Sequence, residues 1–172
     1  LLNAKDYNVP QDRERVFIVG FLNDVNFQFP EPNKKHLTLK DAIDNLKDSA
    51  KSYNQKELDI FNHEYYIAGF STIFMSRNRV RSWNEQSFTI QAGGRNAPLH
   101  PQAPKMEFIE QNKRIFKRGS EELYRRLSVR ECSRIQTFPD EFKFVYNNVL
   151  DGYKMVGNAV PVNLAYEMAN KF

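Results

Sequence analysis

The chain has 172 residues, 41% of them hydrophobic, which allows one compact domain or two small ones and excludes a disordered chain. Lys plus Arg number 25 against 21 Asp plus Glu, a net charge of +4, so no overall polyanion-like or polycation-like character is present. One cysteine excludes an internal disulfide and fits a reducing, cytoplasmic setting; no run of about 18 apolar residues and no signal peptide is visible.

The modest total hides an asymmetry. Residues 77–118 hold six Arg and three Lys against three Glu, a net of +6, which is the footprint of a partner rich in phosphate or of a solvated cationic face. The chain opens on Leu1-Leu2-Asn3-Ala4 without a methionine, as a fragment or a processed piece would.

In chain order, residues 16–21 (Val-Phe-Ile-Val-Gly-Phe) predict a short strand buried on both faces. Residues 26–37, rich in Pro, Asn and Lys, read as a connector. Thr38 with Asp41 three residues on predicts a capped helix start, with Leu39, Ile43 and Leu46 on one face. Residues 48–64 are polar and carry no clear pattern. Residues 65–118 predict a loop-rich lobe: β-like pieces such as Ser87-Phe88-Thr89-Ile90-Gln91 alternate with Gly93-Gly94 and with Pro98, Pro101 and Pro104, which exclude long helices. Trp83 and the many Phe residues read as core. Ser128 and Glu131 form a second capping box, followed by a stripe of Val129, Cys132 and Ile135 and stopped by Phe138-Pro139-Asp140. A last helix is predicted from Pro161, with Leu164, Met168 and Phe172 recurring every four residues.

Three blocks carry the chemistry. The first is Asn3-Ala4-Lys5-Asp6-Tyr7-Asn8-Val9-Pro10-Gln11-Asp12-Arg13-Glu14-Arg15. The second is Arg126-Leu127-Ser128-Val129-Arg130-Glu131-Cys132-Ser133-Arg134-Ile135-Gln136-Thr137-Phe138-Pro139-Asp140. The third is Val156-Gly157-Asn158-Ala159-Val160-Pro161. On an extended chain Arg13 and Arg15 fall on one side, where they could neutralise phosphates, grip a base carbonyl, or close a salt-bridged strand end. Cys132 lies on the apolar stripe of a capped helix, where a small hydrophobe is expected.

In content and order these blocks resemble the last three signature blocks of the bacterial DNA cytosine-5 methyltransferases, of which the chain would be the C-terminal part. The one departure is Asn8, where that family has Gly; Asn tolerates the left-handed backbone such a turn needs. The resemblance implies a mixed α/β fold: residues 1–31 and 145–172 as part of an S-adenosylmethionine-dependent catalytic domain, and residues 32–144 as a small target-recognition domain with its scaffold helix. It implies that Arg15 holds O2 of a flipped cytosine, with Gln11 and Arg13 beside it, and that Asn158 and Val160 close one wall of the S-adenosylmethionine site. The family's nucleophile, a cysteine in a Pro-Cys-Gln context, is absent from this chain, as is the Gly-rich loop of the cofactor site. No metal is implied.

The interval between the first two blocks is the basic lobe. Arg77, Arg79 and Arg81 alternate and form a comb on an extended loop, and Gly93-Gly94 lets the backbone before Arg95 approach a ligand closely. Arg reads guanine through O6 and N7 in the major groove. Within the lobe, the stretch Arg77 to Lys105 resembles the methylases that modify the inner cytosine of GGCC, a likeness carried by residues 71–81, 87–92 and 100–104. By that resemblance Arg77, Arg79 and Arg95 contact bases, Thr89 contacts a phosphate, and Arg81, Arg114 and Arg118 serve phosphates or solvent.

The implied partner is double-stranded DNA, with a missing N-terminal half supplied by the same polypeptide or by another subunit. The alternative is a non-catalytic DNA-binding fragment or specificity subunit. Residues 16–21 and the last helix would lack their sheet in this chain alone, which predicts poor stability or a homodimer through the exposed faces.

Overall fold

The computed structural model describes residues 1–46, 48–54 and 59–172; part of the polar stretch 48–64 therefore lies outside the described residues. Regular structure is sparse. Strands β1 (Leu2–Asn3) and β2 (Glu14–Arg15) pair antiparallel across the turn Ala4–Tyr7, and Asn8 leaves that turn in the left-handed region at φ 57°, as its side chain permits. Helix α1 (Leu39–Ile43) carries the expected Thr38–Asp41 capping box and buries Leu39 and Ile43. Strands β3 (Lys51–Ser52) and β4 (Glu64–Tyr65) pair in parallel. Strands β5 (Glu107–Glu110) and β6 (Lys113–Ile115) form a hairpin across Asn112, at φ 60°. Helix α2 (Val129–Ile135) has the Ser128–Glu131 capping box and buries Val129, Cys132 and Ile135. Two further helices follow, α3 (Val149–Asn158) and α4 (Val162–Ala169), the latter starting one residue after Pro161, which takes the N-cap position without a side-chain cap.

Three apolar clusters hold the chain together. The central one joins α1, α2 and α3 through Leu39, Ile43, Leu127, Val129, Cys132, Ile135, Val149, Tyr153 and Val156, with Ile90 and Ala97 inserted from the basic lobe. A second lies inside that lobe, around Phe74, Val80, Leu99, Met106 and Tyr124. The third joins the chain's two ends: Ala4, Tyr7 and Val9 pack on Leu164 and Met168 of α4.

Four expectations need correction. Residues 16–21 form no strand, and Val16 and Ile18 are 71% and 94% exposed. The physical reason is pairing: among the described residues no strand offers them a ladder, and an apolar run alone cannot satisfy its own N–H and C=O groups. Residues 87–91 form one isolated bridge, Ser87 with Gln11, and no strand. Phe172 lies beyond α4, 73% exposed, where its ring stacks on Phe27 rather than continuing the buried face of Leu164 and Met168. Gly94 does make a close approach, but to the protein: a Cβ there would lie 2.6 Å from Tyr153 Cδ2 of α3.

Candidate nucleic-acid interface

The three sequence blocks converge on one buried network. Gln11, fully buried, accepts from the Ile90 N–H at 2.7 Å and donates to Gln136 Oε1 at 3.3 Å. Gln136 donates through Nε2 to the Val156 carbonyl at 2.6 Å, and its own carbonyl accepts from the Val162 N–H at 3.0 Å. Arg13 completes the ring. Its Nη1 donates to Ile90 O at 2.9 Å, and its Nη2 to Gly157 O at 3.0 Å and Ala159 O at 3.3 Å. Burial pulls the Arg13 guanidinium down to about 10, still charged at neutral pH. No carboxylate is used here. Irregular chain leaves backbone carbonyls without ladder partners, and a planar fork of donors satisfies several at once.

Arg13 and Arg15 therefore do not share an environment. Arg13 and Gln11 face inward with their amide and Nη groups engaged, while Arg15 on β2 is exposed and, among the described residues, bonds only the neighbouring Glu14 carbonyl, at 2.6 Å. Even spacing sets the side of an ideal strand, and β2 begins only at Glu14, so the rule fails across Arg13.

The Arg comb is also divided. Arg77 is exposed and has no partner among the described residues. Arg79 turns back to the carbonyls of Phe74 and Ile73, at 2.9 and 3.1 Å, over the Phe74 ring. Arg81 pairs with Glu85 at 3.2 Å and Asp12 at 3.4 Å. Glu85 also accepts from Ser82 and lies near Lys105, and the Ser82 hydrogen bonds, then Arg81, hold its carboxyl down at about 2.

Arg77, Arg79 and Thr89 nevertheless line one cavity of about 220 Å³, together with Asn78, Phe88, Gln91, Asn96 and Pro98. Thr89 cannot donate into it as it stands, because its hydroxyl proton goes to the Asp12 carbonyl at 2.6 Å; it retains only acceptor capacity. Arg95 is exposed on the turn Gly94–Asn96 and opens into a different cavity of about 390 Å³. Asn158, at the end of α3, lines a third of about 520 Å³ with Tyr146, Asn147, Asp151, Lys154 and Met155; Val160 is exposed just beyond it. Cys132 is fully buried in the central cluster, and burial, then the adjacent Glu131, pushes its thiol well up. It is a packing residue.

The family model for C-5 cytosine-specific DNA methylase matches residues 1–172, the whole chain. The chain belongs to the C-5 cytosine-specific DNA methylases. It is 59% identical over 178 residues to the type II methyltransferase M.MthTI of Methanothermobacter thermautotrophicus, covering 99% of this chain and 54% of that protein. It is 57% identical over 182 residues to M.FnuDI of Fusobacterium nucleatum, covering 99% and 53%, and 54% identical over 179 residues to M.NgoPII of Neisseria gonorrhoeae, covering 98% and 52%. The chain thus spans about half the length of these methylases.

Within this methylase chain, sequence reasoning missed the lining residues Asn78, Gln91 and Asn96 of the Arg77–Arg79 cavity; the Asn78 amide is engaged locally, accepting from the Val80 and Met106 N–H groups and donating to Val80 O, which leaves Gln91 and Asn96 to bring donors and acceptors. Amide side chains scattered over a loop give no periodic signal. Arg126 was placed only within a scaffold block; it is buried beneath the Arg95 turn.

Proposed function

We propose that this chain carries the target-reading and base-holding part of a DNA (cytosine-5) methyltransferase of a restriction-modification system. The observation that carries the reading is the 220 Å³ cavity in which Arg77 and Arg79 meet three side-chain amides, on a segment that Gln11 and Arg13 tie directly to the third block. Guanidinium and amide groups are the donors and acceptors that read purine edges. The resemblance of the lobe to GGCC-modifying enzymes supports a target with two guanines per strand, read by Arg77, Arg79 and Arg95, with Arg81 and Thr89 at the phosphates. Arg79 and Thr89 would have to exchange a backbone carbonyl for DNA, so binding reorders residues 73–79 and 89.

In this reading residues 1–31 and 145–172 belong to the catalytic domain and residues 32–144 to the recognition domain. The joint end-to-end cluster of Ala4, Tyr7, Leu164 and Met168 supports the first grouping. Helix α3 shares the central cluster with α2 and so acts as the joint between the two. Cytosine C5 is out of reach inside a duplex, so the base is extruded. Arg15, exposed and held only by a neighbouring carbonyl, is free to take O2 of that base. S-adenosylmethionine supplies the methyl group. The exposed Asn158 amide and the Val160 side chain offer it one polar and one apolar contact, beside a cavity that also holds Asp151 and Lys154. The remaining walls belong to the half of the relatives' length that this chain does not span.

One observation favours a second reading. The only cysteine is buried and its thiol is held protonated, so it cannot attack C6. On that ground the chain alone is a DNA-binding module or specificity subunit that acts with an N-terminal partner. Mixing it with the N-terminal half of a close relative, tritiated S-adenosylmethionine and a GGCC duplex separates the two. Methyl transfer to the inner cytosine supports the enzyme reading; DNA binding without transfer, by a half that is competent with its own C-terminal half, supports the module.

A further inference from the structure

Arg126 is 3% exposed and has no carboxylate partner among the described residues. Its guanidinium instead spans two loops. Nη1 donates to Ala68 O at 2.9 Å, Nη2 to Gly69 O at 3.2 Å, and Nε to Arg95 O at 3.4 Å. The plane is seated 4.2 Å from the centre of the Phe70 ring. Those two loops are the walls of the 390 Å³ cavity formed by Tyr66, Ala68, Gly69, Phe70, Ser71 and Arg95. Arg95 alone among these brings a charge, and its guanidinium has no partner among the described residues.

We propose that Arg126 is the positioning residue of a second recognition subsite. It fixes the Arg95 turn against residues 66–71, so that Arg95 meets a base edge separately from the Arg77–Arg79 cavity. This rests on the reading of Arg95 as a base contact. The physical case is the geometry of the fork. One rigid, planar group joins the carbonyls of two loops that otherwise lack a shared ladder, and a flexible arginine reader gains specificity only if its backbone is held still. The turn is fixed on its far side too, since Gly94 is pressed against Tyr153 and Leu150 of α3. The reader is therefore clamped from both sides while its own side chain remains exposed. Lysine could neutralise one or two carbonyls but could not span three in a plane.

The test uses the full chain, with Arg126→Lys, Arg126→Met, Arg95→Ala and the double variant Arg95→Ala/Arg126→Lys. Amide exchange reads the clamp: both Arg126 variants should speed exchange at residues 94–97 while leaving α1 and α2 protected. Affinity for a GGCC duplex against a scrambled duplex reads the consequence. Arg95→Ala and Arg126→Lys should each lower that ratio about ten-fold, the scale of one bidentate base contact. The double variant should fall no further than Arg95→Ala. If Arg126→Lys keeps the ratio that Arg95→Ala loses, the proposal is overturned. Equal weakening on both duplexes with a lowered melting midpoint also overturns it, because Arg126 is then only structural. Faster exchange with a ratio that Arg95→Ala leaves intact, or no preference by the unsubstituted chain, counts instead against the base-contact reading.

Discussion

A Cβ on Gly157 would lie 2.3 Å from the carbonyl carbon of Gln91 and 2.4 Å from the Ala92 nitrogen. Both obstacles are backbone, so no side chain can swing aside. Gly157→Ala must therefore push α3 off the basic lobe and stretch the Arg13 bonds to Ile90 and Gly157. The expected loss is about 1–3 kcal/mol, as for overpacking a filled site, read as a lower urea midpoint. The same residue-level view gives a pH dependence. His63 is fully buried: Nε2 donates to the Leu46 carbonyl at 2.9 Å and Nδ1 accepts from the Ser128 hydroxyl at 2.7 Å. Burial lowers its affinity for a proton below the usual 6.5. Glu131, whose carboxylate takes two bonds from Arg125, is also lowered, from 4.5, the Arg125 interactions outweighing burial. In both cases the unfolded chain binds the proton more readily than the folded one. Stability is then complete above pH 6.5, falls as His63 would titrate below it, and falls again below pH 4.5 as Glu131 would. His63→Gln should flatten the upper step and leave the lower one, in melting midpoints measured from pH 8 to pH 4.

At the scale of elements, legibility followed locality. Both capping boxes, Thr38 with Asp41 and Ser128 with Glu131, are four-residue signals complete in themselves, and both formed. Helix α3 was not legible because its two glycines lower helix propensity. Both are explained by packing outside the helix: Tyr146, just before it, lies over Gly152, and the distant Gln91 over Gly157. The β5–β6 hairpin was missed because its turn uses Asn112 without glycine. Among the candidate site residues, alternation picked out Arg77, Arg79 and Arg81, yet it could not show that Arg79 would turn back to the carbonyls of Phe74 and Ile73 or that Arg81 would be taken by Asp12 and Glu85. Residues 16–21 are the converse case, a strand signal without a ladder. Val16, Ile18 and Leu22 stand exposed while Phe17 and Val19 pack on the end-to-end cluster. Such a one-sided strip is an adhesive edge. The chain should self-associate with rising concentration in sedimentation velocity, and Ile18→Asp with Leu22→Asp should keep it monomeric at an unchanged melting temperature.

Over the whole molecule, the basic island of residues 77–118 is weaker than its count of nine cations. Arg79, Arg81, Lys105 and Lys113 are already engaged by carbonyls, Asp12, Glu85 or Glu110. Arg77, Arg95, Arg114, Lys117 and Arg118 are left for phosphates and bases, with Arg114 lying over Phe108. Non-specific DNA affinity should therefore fall with log salt at a slope of about −3 to −4.5, not the roughly −8 of nine free cations. A measured slope near −8 would mean that the internal pairs open on binding.

The buried ring that Arg13 closes also sets a timetable. Its acceptors on Gly157 and Ala159 lie 144 and 146 residues downstream. At a synthesis rate of about 5–20 residues per second, Arg13 is synthesised roughly 7–30 seconds before its partners. Until then the first block is tied to residues 81–90, through the Asp12–Ser87, Asp12–Arg81 and Arg13–Ile90 contacts, but its joint with α3 stays open. Closure of that joint is thus among the last events of folding. A chain ending short of residue 157 would keep the cluster inside the basic lobe and lose both of these Arg13 anchors.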